Sequence, residues 1–417
     1  MTTARGFLSD YFVAVAVKRL SNVEANPKVS NQHEINDKAS QLMKMLGETE
    51  RRKKSSNGLG GFVGRFIYLS GEQEGISELG SLAWYDSRRD QPHRSREWRL
   101  YYSGNAVTDA MQPGDTLLLA MHENGELYFI VAPSGSSIER QLLWLFKLDR
   151  TPSDDLFAQD QKVLSTSEID FAARFILDEL GIAFVEPDED FLDGLIRPFA
   201  RTFPSTKVMA ELAWKHASAP SARLDPDNAI LAWVDFEERL FRRLERVIVE
   251  DRIRDGFFKE SAIDVDAFFA FAISAMNRRK SRAGQSLEHH LAQVFRANNL
   301  EFQQGAITER KNRPDFLFPS GAAYHNYDFS EAKLTMLGSK TSLKDRWRQI
   351  LAEADRITNK HLFTIDTRLS VAQTDQMFAS NVQLVVPRKL HETYIPSQQV
   401  SIMELAAFID MVRARSS

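Results

Sequence analysis

Asp315 follows Pro314 at the head of a short apolar run, PDFLFP, and Lys340 closes the next one, KLTMLGSK. If the two runs pair as antiparallel strands, the start of the first lies beside the end of the second, and the acid and the lysine meet at one edge of a sheet. A carboxylate there can hold a hard divalent cation, and a lysine can orient a water and offset charge on a phosphate. The literal Glu331-Ala332-Lys333 sits at the start of the second run, at the far end from Asp315, and reads as a decoy. Gly338, two residues before Lys340, cannot ligate a metal, so a second carboxylate has to come from elsewhere. Glu353, beyond Lys340, and Glu288, on the preceding helical stretch, are the candidates.

The stretch SKTSLKDRWRQILAEAD (339–355) follows at once. On a 3.6-residue wheel Leu343, Trp347, Ile350, Leu351 and Ala354 form one apolar face, with Asp345, Arg346, Gln349 and Glu353 opposite. One reading is an amphipathic surface helix with solvated charges. The other uses the first turn: side chains at a helix N-terminus reach base edges, Lys344 and Arg346 can donate to guanine N7 and O6, and Asp345 can accept from cytosine N4. Trp347 reads as the residue that anchors this helix in the core.

These residues need elements to position them, and 417 residues suggest two domains or more. Up to residue 148 the runs YFVAVAVKRL, RFIYLS, EWRLYY and DTLLLAMHENGELYFIVA are apolar or alternating, with an Asn-Gly hairpin signal in HENGEL. Residues 149–168, polar and containing Pro, Ser and Asp, read as a linker. From 169 the pattern turns to helices, with FAARFILDELG stopping at Gly181, long ones at 227–254 and 264–276, and another at 286–300. Short strands and helices then alternate to 417, as in an α/β domain with a small mixed sheet.

The chain has no cysteine, which excludes disulfides, thiol catalysis and Cys-ligated zinc. No run of eighteen apolar residues suggests a membrane span, and MTTARGFLSDYF lacks the apolar core of a signal peptide, so a cytoplasmic protein is expected. The net charge of −4 conceals segregation: residues 277–348 hold 13 Lys and Arg against 7 Asp and Glu, 51–99 hold 10 against 6, and 151–276 hold 14 against 25. Two basic regions around an acidic one fit two polyanion-binding surfaces or, equally, solvated faces.

The acid-and-lysine pair resembles the PD-(D/E)XK nuclease pattern. The longer strings NRRKSRAGQSLEHHL (277–291), RPDFLFPSGAAYH (313–325) and KDRWRQILAEAD (344–355), with HLFT and LVVP beyond, resemble the catalytic domain of the EcoRII restriction endonuclease family. That resemblance implies magnesium held by Asp315, Glu353 and Glu288, catalysis by Lys340, and recognition of the CC/GG halves of a CCWGG-type site through Lys344, Asp345 and Arg346. It also implies extrusion of the central base pair, for which Arg201 and Phe203 in ARTFPST are candidates. YFVAVAVKRLSNVEANPKVSNQHEIN and WYDSRRDQPHRSREWRLYYSGN resemble the family's effector-binding domain, a DNA-binding pseudobarrel. His93, Arg94, Arg96, Glu97, Trp98 and Arg99 would meet effector DNA there. In an extended strand Arg94 and Arg96 would point to one face and Arg99 to the other. The same cluster also reads as a charged edge strand guarding against aggregation, and SNQHE (30–34) as a second DNA loop or a polar turn.

The expectation is therefore a mainly β pseudobarrel at 1–148, a linker at 149–168 and an α/β restriction-endonuclease-like domain at 169–417. The activity expected is magnesium-dependent cleavage of double-stranded DNA by a homodimer, leaving 5′-phosphates and regulated by effector DNA. The rivals are a non-cleaving DNA-binding protein and a modification-dependent nuclease. No Gly-rich phosphate loop or Ser/His/Asp set favours a small-molecule enzyme.

Overall fold

The computed structural model describes residues 7–26, 33–36, 41–48, 53–55, 58–60, 62–69, 75–91, 93–148, 152–159, 164, 173, 176–177, 180–182, 189–199, 202–259 and 262–416. The chain forms two compact units, Met1–Val185 and Glu186–Ser417. Among the described residues no helix is long and apolar enough to cross a membrane.

The first unit is built on an eight-stranded sheet. Its strands are β1 (Phe12–Arg19), β2 (Glu34–Asn36), β5 (Phe62–Tyr68), β6 (Ile76–Asp86), β7 (Trp98–Tyr102), β8 (Thr116–His122), β9 (Leu127–Ala132) and β10 (Phe157–Gln159). A separate small hairpin joins β3 (Lys53–Ser55) to β4 (Gly58–Gly60). The sheet order is β10-β1-β8-β9-β5-β6-β7-β2, antiparallel except for β5 beside β9. The Asn-Gly signal marks the β8–β9 hairpin, with Gly125 at φ +86° in its turn. Alternation divides the central strands between two cores. Leu118, Ala120 and Ile130 pack with the helix Ser137–Leu145, whereas Leu117, Leu119 and Phe129 pack with Trp84 and Trp98 on the other side. Part of the stretch expected as a linker belongs to this sheet, because Phe157–Gln159 pairs with β1.

The second unit wraps helices around a five-stranded mixed sheet, β13 (Gln303–Gln304), β14 (Phe316–Phe318), β15 (Thr335–Lys340), β16 (Lys360–Thr364) and β17 (Val382–Val385). The first three are antiparallel and the last three parallel. A short hairpin of β11 (Phe258–Lys259) and β12 (Ala262–Ile263) joins two long helices, Pro226–Asp255 and Val265–Ala297. Each starts on an aspartate cap, Asp225 or Asp264, whose carboxylate accepts a main-chain N–H of the first turn. The segments expected as separate helices at 264–276 and 286–300 are continuous. Gly284, at a cost of about 1 kcal/mol, does not break the helix. Its distal half seats Phe295 against Phe316, Phe318 and Phe408, fixing it to the sheet beside β14.

The stretch 339–355 departs most from its expected form. Lys344–Ala352 is a 3₁₀ helix, and Glu353 caps it in extended backbone. A 3₁₀ turn repeats every three residues, so Trp347, Ile350 and Glu353 fall in one line. The change of period carries Glu353 from the polar side of the α-helical wheel to the side facing the sheet. Leu351, counted apolar-inward on that wheel, is 37% exposed, while Trp347 and Ile350 are buried.

Candidate active site

The register of β14 on β15 pairs Phe316 with Leu337 and Phe318 with Thr335, which sets Asp315 beside the end of β15. Asp315 Oδ2 accepts the Ser339 main-chain N–H at 2.6 Å and the Lys340 ammonium at 3.2 Å. Both side chains keep about a fifth of their surface open, at 18% and 19%. Thr364 on β16 donates its hydroxyl to the Lys340 carbonyl at 2.7 Å, so the lysine backbone is held from the next strand.

Glu288 and Glu353 bring two further half-buried carboxyls to the same place. Burial, and then repulsion from Asp315, push each up to about 7, and Lys340 partly offsets both shifts. Glu288 comes from the helix Val265–Ala297 and Glu353 from the end of the 3₁₀ segment. The segment can lie so close because β15 carries glycine at 338. A Cβ there would stand 2.9 Å from Ile350 Cγ2, so the position where a carboxylate might be sought is filled by the following segment.

The decoy lies apart, in a 3₁₀ turn before β15 (Glu331–Lys333). Glu331 is paired with Arg356 at 3.4 Å and Lys333 is exposed. Three carboxylates against one lysine make an anionic, oxygen-only donor set, the chemistry a hard divalent cation prefers. Among the described residues no three acidic or histidine side chains converge to ligand distance, so gripping an ion would require the carboxyls to draw together. The donor set thus fits magnesium in type. Lys344, Asp345 and Arg346 form the first turn of the 3₁₀ helix, and their side chains lie outside the described residues.

Of the base-extrusion candidates, Arg201 lies outside the described residues, while Phe203 lines a cavity of about 290 Å³ with Phe241, Arg278, Arg282 and Gln285. The Arg278 guanidinium stacks over Phe203 at 4.3 Å and that of Arg282 over Phe241 at 3.9 Å. The two arginines and Gln285 were not singled out in the sequence, although their spacing puts them on one helix face.

The cluster in the first unit divides. His93, Arg94 and Arg96 are exposed on the loop between β6 and β7, which Asp86 ties down by accepting the main-chain N–H groups of Arg88 and Glu97. The residues before Trp98 are loop, so the alternation expected of a strand does not apply to Arg94 and Arg96. Trp98 is not available to DNA, being 4% exposed and stacked on Trp84 at 5.0 Å. Arg99 pairs with Glu34 at 2.5 Å and Glu97 at 3.0 Å, and Glu97 also pairs with Arg88. Glu34 is thereby part of the sheet's ion pairing. Residues 30–32 of SNQHE lie outside the described residues.

Residues 241–409 match the family model described as EcoRII C terminal. The type II restriction enzyme EcoRII of Escherichia coli is 46% identical over 208 residues, half of this chain and half of that enzyme, so the match spans only half the length of this relative. The type II restriction enzyme SsoII of Shigella sonnei is 26% identical over 214 residues, 46% of this chain and 68% of that enzyme. Among solved structures, metal-depleted Ecl18kI in complex with uncleaved, modified DNA aligns at a TM-score of 0.44 and 18% identity, covering 55% of this chain and 85% of that one. Asp315, Lys340, Glu288 and Glu353 all lie within residues 241–409, the part of the chain that matches the EcoRII C-terminal model.

Proposed function

We propose that this chain is a type II site-specific DNA endonuclease that hydrolyses double-stranded DNA at a CCWGG-like site as a homodimer. The observation that carries the reading is the contact of Asp315 with Lys340 beside two carboxyls held near neutrality, in a domain of EcoRII type. Asp315, Glu353 and Glu288 would hold magnesium. When bound, the ion would polarise the scissile phosphate and acidify a water. Lys340, fixed by Asp315 and Thr364, orients the attacking water and offsets charge developing on the phosphate. Attack at phosphorus breaks the bond to O3′, leaving 5′-phosphate and 3′-hydroxyl ends.

Lys344, Asp345 and Arg346 read the C·G pairs, and the cavity lined by Phe203 and Arg278 receives an extruded base. A palindromic site calls for two-fold symmetry. The exposed apolar side chains Val265, Phe269, Ile273 and Met276 on the long helix fit a second copy. The first unit is the DNA-binding pseudobarrel, with His93, Arg94 and Arg96 toward effector DNA, and the enzyme works in the cytoplasm. The test is digestion of methylation-free plasmid carrying several CCWGG sites, in magnesium and then in calcium. Discrete magnesium-dependent fragments ending at those sites are expected. Fragments ending elsewhere would remove the site assignment, and no cleavage even with added effector duplex would remove the nuclease.

A further inference from the structure

Lys360 opens β16 and is 7% exposed, yet its ammonium is directed at main chain. It donates to the carbonyls of Glu353, Ala354 and Ile357, the last two at 3.1 Å each, so all three N–H groups are used. Among the described residues no carboxylate lies within ion-pairing distance of it. A desolvated ammonium is costly unless fully hydrogen-bonded, so this one is committed to the turn it holds.

That turn needs holding. Ala354, the residue after Glu353, is buried in the left-handed region at φ +52°, where a side chain is unfavourable. Neighbouring bonds fix the turn from other sides: Asn312 Nδ2 donates to the Ala352 carbonyl at 2.6 Å, and the Ala354 N–H donates to Thr308 Oγ1 at 3.4 Å. At the other end of the 3₁₀ segment the Leu343 N–H donates to buried Asp366 at 2.9 Å, and midway Ile350 sits in the notch left by Gly338. Lys360 itself is fixed by its pairing with Val382 on β17 and by its main-chain N–H, which donates to the Asn381 carbonyl at 3.0 Å.

We infer that Lys360 is a positioning residue: from within the core it locks the backbone that carries Glu353 beside Asp315, and so limits how far that carboxylate has to move to reach a cation. This rests on the metal-dependent reading above, and wild type is measured first so that the two can fail separately. If the full-length wild type neither binds manganese in calorimetry nor cuts DNA, that reading fails, and the inference with it. Given metal binding by wild type, Lys360→Met is expected to melt in one transition and bind a CCWGG duplex without metal within about threefold of wild type. It is expected to bind manganese at least tenfold more weakly. Glu353→Gln alone should give a similar loss, and the double variant no more than Glu353→Gln does, since both changes remove one ligand. Manganese affinity within twofold of wild type in folded Lys360→Met would overturn the inference, as would losses that multiply in the double variant. Should Lys360→Met not fold, Lys360→Gln, which keeps part of the donor set, is held to the same comparison.

Discussion

The two basic regions handle charge in opposite ways. On the β6–β7 side of the first unit, charges are largely matched: Arg99 with Glu34 and Glu97, Arg88 with Glu97, and Asp86 with main-chain N–H groups. At the edge of β14 and β15 they are mismatched, with Asp315, Glu288 and Glu353 sharing Lys340. Matched charges fix a loop at modest gain. Mismatched carboxyls, half-buried, cost stability and leave a site that an added cation relieves. The difference separates a loop whose charges are satisfied internally from a carboxyl cluster left short of positive charge.

The comparison is broken most directly at the lysine. Lys340→Ala and Glu353→Ala are each expected to reduce single-turnover cleavage by about a hundred- to a thousandfold, with specific binding in calcium retained. Glu331→Ala and Lys333→Ala should stay close to wild type in the same assay. Activity lost in the decoy variants and kept in Lys340→Ala would reverse the assignment.

Gly338→Ala probes how the carboxylates are brought together. The added Cβ meets Ile350, so the 3₁₀ segment must shift, at about 1–3 kcal/mol on chemical denaturation and with weaker cleavage. Unchanged stability and rate would show that the segment yields at no cost.

In the matched region, Arg99→Ala takes the guanidinium from Glu34, which keeps the Tyr85 hydroxyl, and from Glu97, which keeps Arg88, and should destabilise by about 1–2 kcal/mol. Arg94→Ala with Arg96→Ala should leave the melting temperature unchanged and lower the salt dependence of DNA binding by about two counterions. A melting temperature that falls with the second pair but not with Arg99 would exchange the two roles.

The smallest effect is in pH. Glu288 and Glu353 titrate near 7 in the folded protein, above their usual 4.5. Without divalent metal, each is neutral and harmless below about pH 4.5, and its ionisation removes stability as pH rises through about 7. Glu288→Gln should therefore stabilise the metal-free protein at pH 8 by about 1–2 kcal/mol, discounted for partial solvation, and leave it unchanged near pH 4. A gain at low pH instead would place its carboxyl in a favourable pairing.

Much of this was legible in the residues. Alternation and turn signals mark β1, β5, β7, β8 and β9 of the first unit, because a half-buried strand repeats every two residues whatever its partners, but not β6, whose first half is exposed. The choice of Lys340 over Lys333 followed from hairpin geometry alone. The helical period of 339–355 was misread, since an amphipathic pattern does not say whether its turns close on three residues or on 3.6. Trp98 was misplaced because a tryptophan flanked by arginines looks alike at a surface and in a core until its neighbour Trp84 is known.

The sequence by itself determined which donors exist: no thiol, a lysine closing one apolar run, an aspartate opening another, and glycine where a carboxylate would interfere. Only the tertiary structure decided which of them share a place. Glu288, Glu353 and Lys360 are far apart along the chain or unremarkable in it, and their use depends on a helix crossing the sheet edge, a 3₁₀ segment seated on Gly338 and a buried ammonium meeting three carbonyls. Those are contacts between elements, and local periodicity carries no record of them.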